Sequence, residues 1–64
     1  MVKVSSALHS ELTQIKDSGE VDMNDIDAVL TYAQNHHLSL AERMILGNSN
    51  RYLRCITDGM QITD

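Results

Sequence analysis

The residues best placed to do chemistry are the acids between Asp17 and Asp27, three histidines and one cysteine. In Asp17-Ser18-Gly19-Glu20-Val21-Asp22-Met23-Asn24-Asp25, the spacing invites a calcium loop of the EF-hand kind. Gly19, Val21, Asp22 and Asp25 fall at its turn glycine, apolar anchor, ninth position and last ligand. The front half defeats it. Positions one, three and five would be Gln14, Lys16 and Ser18, where the ion needs carboxylate or amide oxygens and a lysine repels it. The stretch therefore reads as a joint between two helices. His36 and His37 are neighbours, and on a helix end adjacent side chains point about 100° apart, a poor arrangement for sharing one metal. His9 is remote in sequence, and only Cys55 could complete a zinc set. Cys55 itself falls in the apolar stripe Tyr52, Cys55, Ile56, where a thiol behaves as a small hydrophobe rather than a nucleophile. No glycine-rich phosphate loop, carboxylate pair or Ser-His-Asp set accompanies these residues, so neither a catalytic nor a metal site nor a cofactor is expected.

A different chemistry is offered by Leu46-Gly47-Asn48-Ser49-Asn50-Arg51-Tyr52-Leu53-Arg54-Cys55-Ile56. It resembles the turn and second helix of a repressor-type helix-turn-helix, which would aim Asn48, Asn50, Arg51 and Arg54 at base edges. Two positions depart from that pattern. Arg43 stands where a small residue lets the helices close, and Asn48 stands where a buried aliphatic residue belongs.

Helices must position all of these groups. Leu8, Leu12 and Ile15 form one stripe, predicting a helix over 6–17 with Ser5 or Ser6 as its cap and Gly19 just past its end. Ile26, Val29, Leu30 and Ala33 make a fuller stripe, predicting a helix over 23–35 capped by Asp22 and stopping at Asn35-His36-His37. Ser39-Leu40-Ala41-Glu42 has the form of a capping box, opening a helix over 40–46. Gly47-Asn48-Ser49-Asn50 interrupts it with poor helix formers, and a last helix is predicted over 50–58. The tail from Met60 to Asp64 is expected to fray. The fold class that follows is all-α, a three- to four-helix orthogonal or hairpin bundle in a single domain over 1–64.

Composition narrows the functional classes. A chain of 64 residues buries only about 60% of its unfolded surface, less than a larger domain does, and with one cysteine it has no internal disulfide to reinforce it. Phe and Trp are absent, so self-association is the reinforcement left. Met44, Leu46, Leu53 and Ile56 cannot all face one small core. With Tyr52 they are the candidate surface of a homodimer. No signal-peptide pattern or apolar membrane-spanning run is present, and a cytoplasmic location is expected. The net charge of −4 falls wholly in the first half of the chain, and the second half sums to zero. This acidity weighs against general nucleic-acid binding, which depends on neutralising phosphates. Candidate partner-binding residues are Asp17, Glu20, Asp25 and Asp27 in the acidic stretch, with Arg43, Arg51 and Arg54 beyond it.

The run Ile15-Lys16-Asp17-Ser18-Gly19-Glu20-Val21-Asp22-Met23-Asn24-Asp25, followed by Ala28-Val29, Ala33, Leu40, Tyr52, Ile56 and Gly59, resembles a family of roughly sixty-residue domains from phages and prophages of Gram-positive bacteria. Lys16 replaces an arginine of that family's pattern and Asp22 replaces an asparagine. A looser likeness exists to enterobacterial biofilm and stress connector proteins, also small helical dimers, whose third helix is unbroken. The phage resemblance implies a small early protein in the host cytoplasm and carries no activity onto particular residues. Two readings follow. The first is a binding protein that inhibits a host defence or regulatory protein by stoichiometric occlusion; the second is a helix-turn-helix transcriptional regulator.

Overall fold

The computed structural model describes residues 1–64 as six elements: β1 (Val2–Val4), α1 (Ser6–Ser18), α2 (Ile26–Asn35), α3 (Ser39–Gly47), α4 (Ser49–Asp58) and β2 (Met60–Ile62). The helical part agrees with the pattern of apolar stripes, and the break between α3 and α4 falls at Asn48. The all-α expectation needs correcting, because the two ends of the chain pair as a parallel two-stranded sheet. Val2, Lys3 and Val4 lie opposite Met60, Gln61 and Ile62. Parallel pairing requires a crossover, and all four helices together supply it. The tail expected to fray is thus held by Val2 N–H bonding to Gly59 O and Thr63 N–H bonding to Val4 O, each at 3.0 Å. Asp64 adds a latch, its carboxylate accepting from the Ser6 amide at 3.0 Å and the Ser6 hydroxyl at 2.7 Å. The Ser6 hydroxyl first, and then its amide, hold that carboxyl below the ordinary aspartate range.

Helix ends show where local rules held and where tertiary structure overrode them. Ser5 caps α1 by accepting from Leu8 N–H, and Gly19 closes it in the left-handed region at φ 67°. The second helix starts later than expected. Asp22 accepts from Asn24 N–H at 2.9 Å in a local turn, and Asp25 becomes the cap, accepting from Ala28 N–H. The cause is Tyr52, whose hydroxyl donates to the Met23 carbonyl at 2.5 Å and so holds Met23 in the loop. At its far end α2 closes with a Schellman motif: His37 takes the left-handed position at φ 58°, Leu38 N–H bonds to Ala33 O, and Leu38 tucks into the core.

The capping box of α3 does not form. Ser39 is already inside the helix, Leu38 occupies the cap position, and no side chain of the local sequence caps it. Glu11, a turn into α1 and thirty residues away, does the capping instead, its carboxylate accepting from Ala41 N–H at 2.9 Å. An anion at a helix start also gains from the helix dipole. Glu11→Ala should therefore lower unfolding free energy by about 1–2 kcal/mol, while Ser39→Ala should stay within about 0.5 kcal/mol. Urea unfolding midpoints of the two variants check this; equal effects would mean that Glu11 is not the operative cap.

The core gathers Val2 and Val4 of β1, Leu8, Leu12 and Ile15 of α1, Val29 and Ala33 of α2, Leu38, then Ala41, Met44 and Ile45 of α3, and Tyr52 and Cys55 of α4. Tyr52 is the largest fully buried side chain. No buried side-chain polar atom lacks a partner.

Candidate protein-interaction surface

The candidate partner-binding residues do not form one site. Glu20, Asp25 and Asp27 share a shallow surface with Val21, Ala28, Thr31, Tyr32, Asn35 and His36. The same two aspartates continue into a second hollow with Asp22, Asn24, Ile26 and Ser49. Asp22, expected as a helix cap and not among the candidate partner-binding residues, joins Glu20, Asp25 and Asp27 on one acidic face. Half-buried Val21, Ile26 and Tyr32 give that face apolar footing. Tyr32 stacks on His36 with ring centroids 4.0 Å apart and planes 18° from parallel. The i, i+4 spacing of Tyr32 and His36 along α2 was the sequence signal for this ledge. None of these four carboxylates meets a basic side chain, since the chain's one ion pair joins Arg54 to Asp58. Asp22 and Asp25 still accept backbone amides, so their charges are held in place by the α2 entry turn.

Asp17 sits elsewhere, at the rim of a groove of about 320 Å³ between α1 and the α4–β2 junction. His9, Lys16, Met23, Ile56 and Met60 line its walls, with Cys55 at its base. Burial pushes the Cys55 thiol up, partly opposed by the Arg51 charge. A thiol raised in this way is less ionised at neutral pH and so less nucleophilic. The three histidines stand apart: His9 in the groove, His36 on Tyr32, and His37 in the α2 closing turn. No three His, Cys, Asp or Glu side chains approach closely enough to hold an ion.

The arginines lie on another surface. Arg51 and Arg54 adjoin Asn48, Asn50 and Val2, and Arg43 is exposed on α3. Arg51 is engaged, its guanidinium donating to the Lys3 carbonyl of β1. Arg54 faces Asp58 at 3.8 Å. The α3–α4 joint is a single residue, Asn48, which ends α3 and caps α4 by accepting from Arg51 N–H. A DNA-reading joint uses a turn of about three to four residues.

No family model matches the chain, and neither does any curated protein or solved structure. The surface chemistry therefore carries the functional reading. No helix is long and apolar enough to cross a membrane.

The expected dimer surface also changes. Met44 and Tyr52 are in the monomer's own core, because α3 and α4 turn one face each inward where the chain bends at Asn48. Leu53 and Ile56 are half-buried against that core, and Leu46 alone of the five is largely exposed, at 65%. These residues do not make a continuous apolar patch.

Proposed function

We propose that this chain is a small phage-encoded binding protein that inhibits a host protein by stoichiometric occlusion, covering a basic surface of its target with the acidic face around the start of α2. The family resemblance supports the phage context. The observation that carries the reading is the cluster of Glu20, Asp22, Asp25 and Asp27, unneutralised by any basic side chain and set beside the Tyr32–His36 ledge. Fixed charges around an apolar, aromatic contact speed encounter with an oppositely charged partner and then hold it. Unlike the acids of a flexible tail, Asp22 and Asp25 are fastened by backbone amides at the entry to α2, so little of their freedom is lost on docking.

The carboxylates of Glu20 and Asp27 accept no hydrogen bond within the chain, Glu20 using only its backbone amide, so reversing them tests the face without removing a cap. In host lysate, the wild-type protein should retain a specific partner that is released as salt rises. Glu20→Lys with Asp27→Lys should weaken that complex by about tenfold or more, and Tyr32→Ala should weaken it separately. Equal retention by the charge-reversed protein, or a complex indifferent to salt, would refute the reading. The transcriptional-regulator alternative draws less support, with a one-residue joint and Arg51 committed to β1. Absence of any duplex shift at low salt would dispose of it.

A further inference from the structure

The two strands leave their outer edges in different states. Val2 and Val4 direct their backbone groups at β2, as Val2 N–H to Gly59 O and Thr63 N–H to Val4 O show. Lys3 therefore points its N–H and C=O away from β2, and Met60 and Ile62 point theirs away from β1. The outer edge of β1 is closed by the Arg51 guanidinium on the Lys3 carbonyl. Nothing in the chain closes the outer edge of β2. Exposed edges are normally protected by charge or proline, yet Met60-Gln61-Ile62 has neither, and Ile62 is half exposed.

We propose that β2 pairs antiparallel with β2 of a second copy of this chain, forming a four-stranded sheet β1-β2-β2-β1 across a two-fold axis at Gln61. In that register Met60 of each copy lies opposite Ile62 of the other, and each such pair exchanges both backbone hydrogen bonds. Every outward backbone group of the strand is then satisfied. The exposed side of Ile62 meets the other copy's Met60, extending the apolar face that Val2 and Val4 begin. The self-complementary register favours a second copy as the occupant, and charge at the strand does not oppose it. The strand is neutral, and the two acids that flank it are turned elsewhere, Asp58 toward Arg54 and Asp64 onto Ser6. A contact this short belongs below about 1,200 Å², among reversible interfaces, so the dimer forms at submillimolar rather than nanomolar concentration. Two three-residue strands are marginal alone, and four are not.

Sedimentation equilibrium of the intact chain reads the proposal directly. The apparent mass should rise from 7.2 kDa toward twice that value with concentration. Of the backbone hydrogen-bonding groups, Ile62→Pro removes only an outward N–H, and with it the Ile62 side chain that meets Met60 of the other copy, so it should keep the wild-type circular dichroism and stay at the mass of one chain. Gln61→Cys places a thiol against its own copy at a closely spaced, non-hydrogen-bonded pair, and mild oxidation should give a covalent dimer. Asn35→Cys, exposed at the end of α2, serves as the control and should form no covalent dimer under the same oxidation. A wild-type mass fixed at one chain, a folded Ile62→Pro protein that still dimerises, or Gln61→Cys crosslinking no faster than the control would each overturn it.

Discussion

Tyr52→Ala is expected to leave the domain unfolded at room temperature. Tyr52 is fully buried on α4, and in a chain without Phe or Trp it is the only large ring in the core. Emptying such a site costs about 3–5 kcal/mol, through lost transfer energy and the cavity left behind. A domain of this length has only about 3–10 kcal/mol in total, at the usual stability per residue. The ring also fastens one part of the fold to another. Its hydroxyl bonds to the Met23 carbonyl and so ties α4 to the loop that sets where α2 begins. Tyr52→Phe keeps the volume and removes only that bond, so it should cost about 1–2 kcal/mol and leave a cooperative transition. Circular dichroism and urea titration of both variants check the pair. A Tyr52→Ala protein with wild-type helicity and midpoint would mean that the core closes over the gap, and the central place given to Tyr52 would be wrong. The acidic face depends on the same bond, since Met23 lies between Asp22 and Asp25.

What could be read beforehand follows from the range of the interactions involved. Ser5, Gly19 and Asn48 act within a few residues of themselves, and the helix ends they mark were legible to within a residue or two. Asp22 and Ser39 are equally good caps by composition, yet neither caps its helix: Asp25 caps α2 while Tyr52 bonds to the Met23 carbonyl in the preceding loop, and Glu11 reaches Ala41 at the start of α3. Nothing in a local window announces such a partner. The sheet was missed for the same reason. Val2-Lys3-Val4 and Met60-Gln61-Ile62 alternate apolar and polar, but three residues give too little periodicity to separate a strand from a loose end. Their pairing is visible only when the four helices have brought the ends together. The surface followed a similar course. The acidic cluster is contiguous in sequence from Glu20 to Asp27, so spacing alone groups it around the start of α2, whereas Arg51 and Arg54 lie on another surface, where α4 turns them toward β1 and Asp58. Counting surplus apolar residues suggested a helical dimer face, but burial of Met44 and Tyr52 removes its centre and leaves the edge of β2 as the uncovered element.

Raising the pH should expose the burial of Tyr52 as a loss of stability confined to a definite window. Burial first, then the nearby Cys55 and Asp22, push the Tyr52 phenol from 10.0 up to about 12. In the unfolded chain the phenol ionises near its ordinary value, while the folded chain keeps the proton. Above pH 10 the unfolded state therefore binds fewer protons than the native state, and stability falls as pH rises. The contribution is intact below pH 10, declines between 10 and about 12, and changes no further beyond that. Two pH units of displacement correspond to about 3 kcal/mol, a large share of what a domain this small possesses. The Cys55 thiol is also pushed up by burial, acts with the same sign, and brings the onset down toward pH 9. Other groups titrate in this range, so the decisive quantity is a difference. Tyr52→Phe starts less stable at pH 8 for want of the Met23 bond, but it has no phenol to ionise and should lose less between pH 10 and 11.5. The two urea-midpoint curves should converge across that window, and Cys55→Ala should flatten the earlier part of the decline. Parallel curves for wild type and Tyr52→Phe would show that the phenol titrates alike in both states, which a ring closed inside the core, between α4 and the Met23 loop, does not allow.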